Sequence, residues 1–166
     1  MPSRRLASLI SLAIGGLSVL RIVQVWDQLP ERMASHYGPS GQPNGFMSRD
    51  EFFIFYFVVF GLVVLLFSTM PALLARIPRE LVNIPHREYW LTDERWPEAL
   101  ERMGDWMSWF GTAMATLAAA VLHLVLRSNL ARAPLDNTAM LVILGSFFAF
   151  TGIWLIRLYR AFRPPT

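Results

Sequence analysis

The 166-residue chain is 54% apolar and only 16% charged, carries a formal net charge of +3 and contains no cysteine; its mean hydropathy is +0.40. That balance belongs to a lipid-embedded chain and argues against a soluble enzyme, while the absence of thiols removes disulfides, thiolate metal sites and thiol nucleophiles. All fifteen basic residues are arginine, and they flank apolar runs instead of forming a basic stripe with exposed aromatics. The pI of 9.9 is therefore a topology signal, with no nucleic acid expected as a partner.

A hydrocarbon core of about 30 Å asks for roughly twenty apolar residues in helical form, because lipid cannot satisfy free backbone groups. The first such run covers about residues 6–26. Arg4 and Arg5 precede it as in a signal peptide, yet no small-x-small cleavage site follows and Arg21 interrupts it late, which predicts an uncleaved first span. Arg21 is expected to snorkel to the headgroups or to pair with Asp27 or a carboxylate of the following loop. Ala7, Ser11 and Gly15 recur at spacing four and offer a close-packing helix face.

The connection 27–51 is rich in glycine and proline. Its Gly38-Pro39-Ser40-Gly41 stretch predicts a chain reversal flanked by a short extended hairpin. Ser48 and Glu51 form a Ser-x-x-Glu capping box ahead of the second apolar run, 52–75. Phe52, Phe53, Phe55, Tyr56, Phe57 and Phe60 make that span bulky, suited to facing lipid or filling gaps.

In the connection 76–105, Pro78 and Pro85 predict an irregular first half. Thr92 or Asp93 is the expected cap of a helix with Pro97 in or just after its first turn, continuing into the third span, 106–126. That span carries two small-residue stripes, Ser108, Thr112, Thr116 and Ala120, and Gly111, Ala115 and Ala119, which place it at the centre of the bundle. After a connection at 127–137, the fourth span covers 138–159, with Gly145 and Ala149 as its small pair.

The fold class is thus an all-α integral membrane protein, one domain over residues 1–166: a four-transmembrane-helix bundle with a small hairpin on one side and a loop leading into a long third helix on the other. Ten arginines (Arg4, Arg5, Arg76, Arg79, Arg87, Arg95, Arg102, Arg157, Arg160, Arg163) fall on one side of the spans, against Arg32, Arg49, Arg127 and Arg132 on the other. The positive-inside rule then predicts cytoplasmic termini and an outer hairpin, in a bacterial plasma membrane.

Catalytic signatures are missing. There is no His-Glu-x-x-His, Gly-x-Ser-x-Gly or Gly-x-x-x-x-Gly-Lys, and no Asp or Glu lies deep in a span, as ion-coupled transport requires. The three histidines are split between levels: His86 is on the cytoplasmic side, His36 and His123 at or near the outer one. The latter two are weak candidates for a metal site with Glu31, Asp50, Glu51 or Asp136. The simpler expectations are that His36 bonds its own turn and that His123 is a polar residue near a span end. No cofactor and no catalytic residue is expected.

The Leu-Pro-x-Arg-x-x-x-His-Tyr-x-x-x-Gly-x-Pro-x-Gly-Phe-x-Ser pattern from Leu29 to Ser48 resembles the membrane domain of unknown function 1648. The Asn-Ile-Pro-x-x-x-Tyr-Trp-Leu stretch from Asn83 to Leu91 is similar to a segment that often follows it. Together with the intervening span, the resemblance covers roughly the first 100 residues. Related members include the immunity protein of a bacterial sporulation-delay toxin system, which protects its membrane and acts as a receptor for a cytoplasmic repressor. By position, the resemblance implies Pro30, His36, Gly41, Pro43 and Ser48 as signature residues.

The expected function is non-enzymatic immunity or signalling through the two loops. Pro30, His36, Tyr37, Gly41 and Pro43 are the ligand or partner contacts on the outer loop, and Asn83, Pro85, His86, Tyr89 and Trp90 those on the cytoplasmic loop. Expected partners are the lipid bilayer and a protein in the membrane or cytoplasm, with homo- or hetero-oligomerisation open. The alternatives are an accessory or assembly subunit of a larger membrane complex and an outer-face metal-binding protein.

Overall fold

The computed structural model describes residues 4–164, so the outermost terminal residues of the one-domain reading lie outside the described residues. Helix α1 (Arg4–Val25) leads through a short 3-10 turn into strands β1 (Arg32–Tyr37) and β2 (Pro43–Ser48), followed by α2 (Arg49–Leu74). A loop carrying the one-turn helix α3 (Arg87–Trp90) precedes α4 (Trp96–Ala131) and α5 (Asn137–Ala161). Helices α1, α2, α4 and α5 are long and apolar enough to cross a membrane, in agreement with the predicted fold class.

Helix α4 is the hub. It packs extensively on α1 and α2 and less on α5, and α5 packs chiefly against α4. The small-residue stripes explain the tight seams, since short side chains let backbones approach and hydroxyls bond across helices. Thr112 Oγ1 donates to the Ala7 carbonyl at 3.0 Å and lies 3.1 Å from Ser11 Oγ. Bulky residues of α2 fill notches in the partner helices: Phe60 lies over Gly15, and a Cβ on Gly111 would come within 2.4 Å of Phe67 Cβ. The aromatic run of α2 therefore does both things expected of it, with Phe52, Phe53 and Phe60 buried and Phe55 exposed.

Each end of the bundle closes on its own apolar cluster. Leu29, Met33, Leu126 and Leu135 belong to the cluster at the hairpin end, and Val82, Trp90, Trp96, Met103 and Phe162 to that at the other, hereafter the tryptophan end. Arg4 pairs with Asp105 at 3.1 Å and Arg102 donates to the Ala161 carbonyl at 2.7 Å, which gathers the first and last described helix ends at the tryptophan end.

Several local expectations need correction. The helix that carries the third span runs on to Ala131, where Asn129 finds partners in the hairpin, and residues 132–136 connect it to α5. At its other end α4 starts at Trp96, with Arg95 as N-cap and no side-chain cap. Neither Thr92 nor Asp93 caps it: the Thr92 carbonyl accepts from the Arg95 and Trp96 amides, and Asp93 pairs with Arg79. Arg21 makes no ion pair with Asp27 among the described residues. Gly145 and Ala149 are exposed, because α5 meets α4 through another face.

Candidate recognition surface at the hairpin end

The sequence builds the hairpin as predicted. The Gly38 amide donates to the Gln42 carbonyl and the Gly41 amide to the Gly38 carbonyl, both at 2.9 Å. Gly41 has φ of +78°, and a Cβ there would lie 2.6 Å from the Leu135 carbonyl oxygen, so both conformation and space require glycine. The strands pair antiparallel with Arg32 opposite Ser48, Met33 opposite Met47 and Ala34 opposite Phe46. The capping box then opens α2: the Glu51 amide donates to Ser48 Oγ at 3.2 Å, and the Ser48 amide to the Glu51 carboxylate at 2.9 Å.

What fixes the hairpin on the bundle is a side chain. Asn129, buried in the last turns of α4, accepts the Ala34 amide on Oδ1 at 2.8 Å and donates from Nδ2 to the Ala34 carbonyl at 3.1 Å. Its amide thus pairs with β1 as a neighbouring strand would, filling backbone groups that an edge strand leaves open. The same Nδ2 lies 3.2 Å from Tyr37 Oη. Burial pushes the Tyr37 phenol above its ordinary range, opposed by hydrogen bonds with Ser128 and Asn129.

Further ties come from both flanks. The Gly41 carbonyl accepts the Leu135 amide at 2.8 Å, and Asn137 Nδ2 donates to the Pro39 carbonyl at 2.9 Å. Arg49 donates to the Trp26 carbonyl at 2.8 Å and stacks 4.3 Å over its ring, so the first turn of α2 holds the exit from α1.

The docked hairpin and the corner after α4 enclose a groove of about 280 Å³ that includes Pro30, Arg32, Pro43, Phe46, Asn129 and Arg132 in its lining. Phe46 is 51% exposed. Arg32 and Arg132 are exposed, and neither has an ion-pair partner among the described residues. An apolar ring and two uncompensated cations on one frame can hold a segment that brings a carboxylate and an apolar side chain, and the Ser128 hydroxyl in the lining donates to the Ala133 carbonyl at 2.6 Å.

Of the predicted residues, Pro30 and Pro43 line this groove, Tyr37 and Gly41 hold the hairpin in place, and His36 is exposed and bonded to Asn44 across the hairpin. His123 is exposed on α4. Among the described residues no three His, Asp or Glu side chains gather as a metal site needs.

Asn83, Pro85, His86, Tyr89 and Trp90 lie at the opposite end, so the predicted residues form two groups and not one site. Trp90 is 2% exposed and its indole N–H donates to the Phe162 carbonyl at 2.7 Å; it is a core residue of that cap. Tyr89 is covered by Arg95 at 3.9 Å, and His86, at φ of +54°, stands 5.8 Å from the Tyr159 ring. Asn83 and His86 are exposed.

Sequence reasoning missed Asn129, Phe46 and Arg132. The one signal available was an asparagine close to the end of an apolar helix, which must find partners wherever it is buried.

The chain matches the family model of a domain of unknown function, DUF1648, over residues 13–62. That stretch contains the hairpin and the adjoining parts of α1 and α2, and it stops short of the Asn83–Leu91 segment. No curated protein and no solved structure matches the chain.

Proposed function

We propose that this chain is a non-enzymatic, multi-pass protein of a bacterial plasma membrane that acts in immunity or signalling by recognising a peptide segment at its hairpin end. The observation that carries this reading is the preformed groove between hairpin and α4 corner, with Arg32, Arg132 and Phe46 presented on a frame clamped by Asn129. A frame already ordered before binding loses little entropy when a ligand arrives. The arginine asymmetry between the two ends supports an outward-facing hairpin, and the family match centred on this element supports its importance.

The ligand class follows from the lining: an extended segment with an acidic group and an aromatic or branched apolar side chain. In nanodiscs of zwitterionic lipid, acidic hexapeptides containing phenylalanine are expected to bind in preference to basic ones, and Phe46→Ser to weaken the binding. Equal binding of acidic and basic peptides would sink the proposal.

A second reading, an accessory subunit of a larger complex, is favoured by α5. Gly145, Ala149 and Gly152 are exposed on one face, and small residues allow close helix approach in lipid. A stoichiometric partner that copurifies with the wild type and is lost with Gly145→Leu supports it; a chain that migrates alone counts against it.

A further inference from the structure

A second groove, of about 760 Å³, runs between α4 and α5. It follows α5 from Val142 to Arg157, about 22 Å at about 1.5 Å per residue, more than the roughly 15 Å of one leaflet's hydrocarbon. Because it lies between two span-length helices, its natural solvent is lipid.

Its character changes along its length. Rings of Trp106, Trp109, Phe147, Phe150 and Trp154 wall it, and Arg157 stands at the tryptophan end, exposed and without an ion-pair partner among the described residues. Trp106 and Trp154 meet edge to face at 5.8 Å, and the Nε1 of each is buried without an acceptor. Trp154 as a residue is only 8% exposed. The unpaired guanidinium calls for oxygen acceptors carrying negative charge, next to a long apolar trough.

We propose that this groove binds an anionic phospholipid of the adjacent leaflet, with one acyl chain between α4 and α5 and its phosphate on Arg157. Basic sites between membrane helices are suited to such headgroups. Thr112, Thr116, Ala120 and Ser146 line the groove away from its tryptophan end and are small enough for a helix contact, but the rings of Trp106, Trp109, Phe150 and Trp154 at that end hold a second copy's helix off the stretch beside Arg157. The small residues of α5, Gly145, Ala149 and Gly152, lie on a different face, exposed.

The test is tryptophan fluorescence of the full chain in vesicles containing brominated phosphatidylglycerol or brominated phosphatidylcholine. The wild type is expected to prefer phosphatidylglycerol about fivefold, the scale of one arginine near a membrane surface. Arg157→Gln is expected to abolish that preference, while Arg160→Gln, outside the groove lining, retains it. Ala113→Phe, which fills the trough, is expected to reduce quenching by both lipids. Equal quenching of the wild type by the two lipids overturns the proposal. So does a preference that survives Arg157→Gln, quenching indifferent to Ala113→Phe, or a dimer whose groove is shielded from both lipids.

Discussion

The two ends of the bundle solve the same problem, closing a bundle of apolar helices against water, by different means. At the hairpin end a short sheet is fixed by side chains that bond backbone: Asn129 to Ala34, Asn137 to Pro39 and Arg49 to Trp26. At the tryptophan end an irregular loop with the one-turn helix α3 folds over the start of α4 and the end of α5, and the cap is built from rings and guanidinium groups. Trp90 and Trp96 turn inward, Arg79 and Arg102 pair with Asp93 and Glu98, and Arg95 covers Tyr89. Most cations of that loop are thus engaged within the cap, whereas Arg32 and Arg132 at the hairpin end stand beside an open groove. In the loop between α2 and α4, arginine and tryptophan build a closed cap, whereas at the hairpin end two unpaired arginines flank a groove.

Substitutions that unmake one end should leave the other intact. The largest effect is expected from Trp90→Ala, which empties a core position and removes the bond to Phe162; loss of a buried tryptophan costs about 3–5 kcal/mol. Hydrogen exchange should show the segment around α3 opening while the Ala34 amide stays protected. Asn129→Ala should do the reverse. It strips partners from both the amide and the carbonyl of Ala34, at about 1–3 kcal/mol for each buried group left unmet. Protection at Ala34 should fall with no change around Trp90.

Gly41→Ala is a smaller probe of the same end. The left-handed conformation costs a residue with a Cβ about 1–2 kcal/mol, and the approach to Leu135 adds a clash. Thermal melting should report a modest loss, with the Leu135 amide exchanging faster. The smallest effect is on pH dependence. Burial raises the Tyr37 phenol above its reference of 10.0, so the folded hairpin favours the neutral form. Its docking is unaffected below the unfolded value and weakens as pH rises from there through the folded one. An ultraviolet titration of tyrosinate should lose a late-titrating component in Tyr37→Phe.

Much of this architecture was legible from local signals. Apolar runs located the spans, the glycine and proline cluster located the reversal, and Ser48 with Glu51 located the start of α2. Small residues at spacing four mark packing faces on α1 and α4 and put α4 at the centre, because close packing in lipid leaves a periodic trace. What escaped were contacts between residues far apart in sequence. Asn129 meets Ala34 and Trp90 meets Phe162, and nothing near Asn129 or Trp90 in the chain announces the partner. The helical turn past residue 126 has no local signal either, since a polar helical turn persists only where another element satisfies it. Pro30 and Pro43 of the groove share one loop in the sequence, but Arg132 joins them only through the docking.

The most direct test of the difference between the ends is the affinity of an acidic, phenylalanine-containing hexapeptide for the chain in zwitterionic nanodiscs, measured after charge removal at each end in turn. Arg32→Gln with Arg132→Gln is expected to abolish binding, and Arg160→Gln with Arg163→Gln to leave it unchanged. Binding that survives the first pair and disappears with the second would contradict this and move recognition to the tryptophan end.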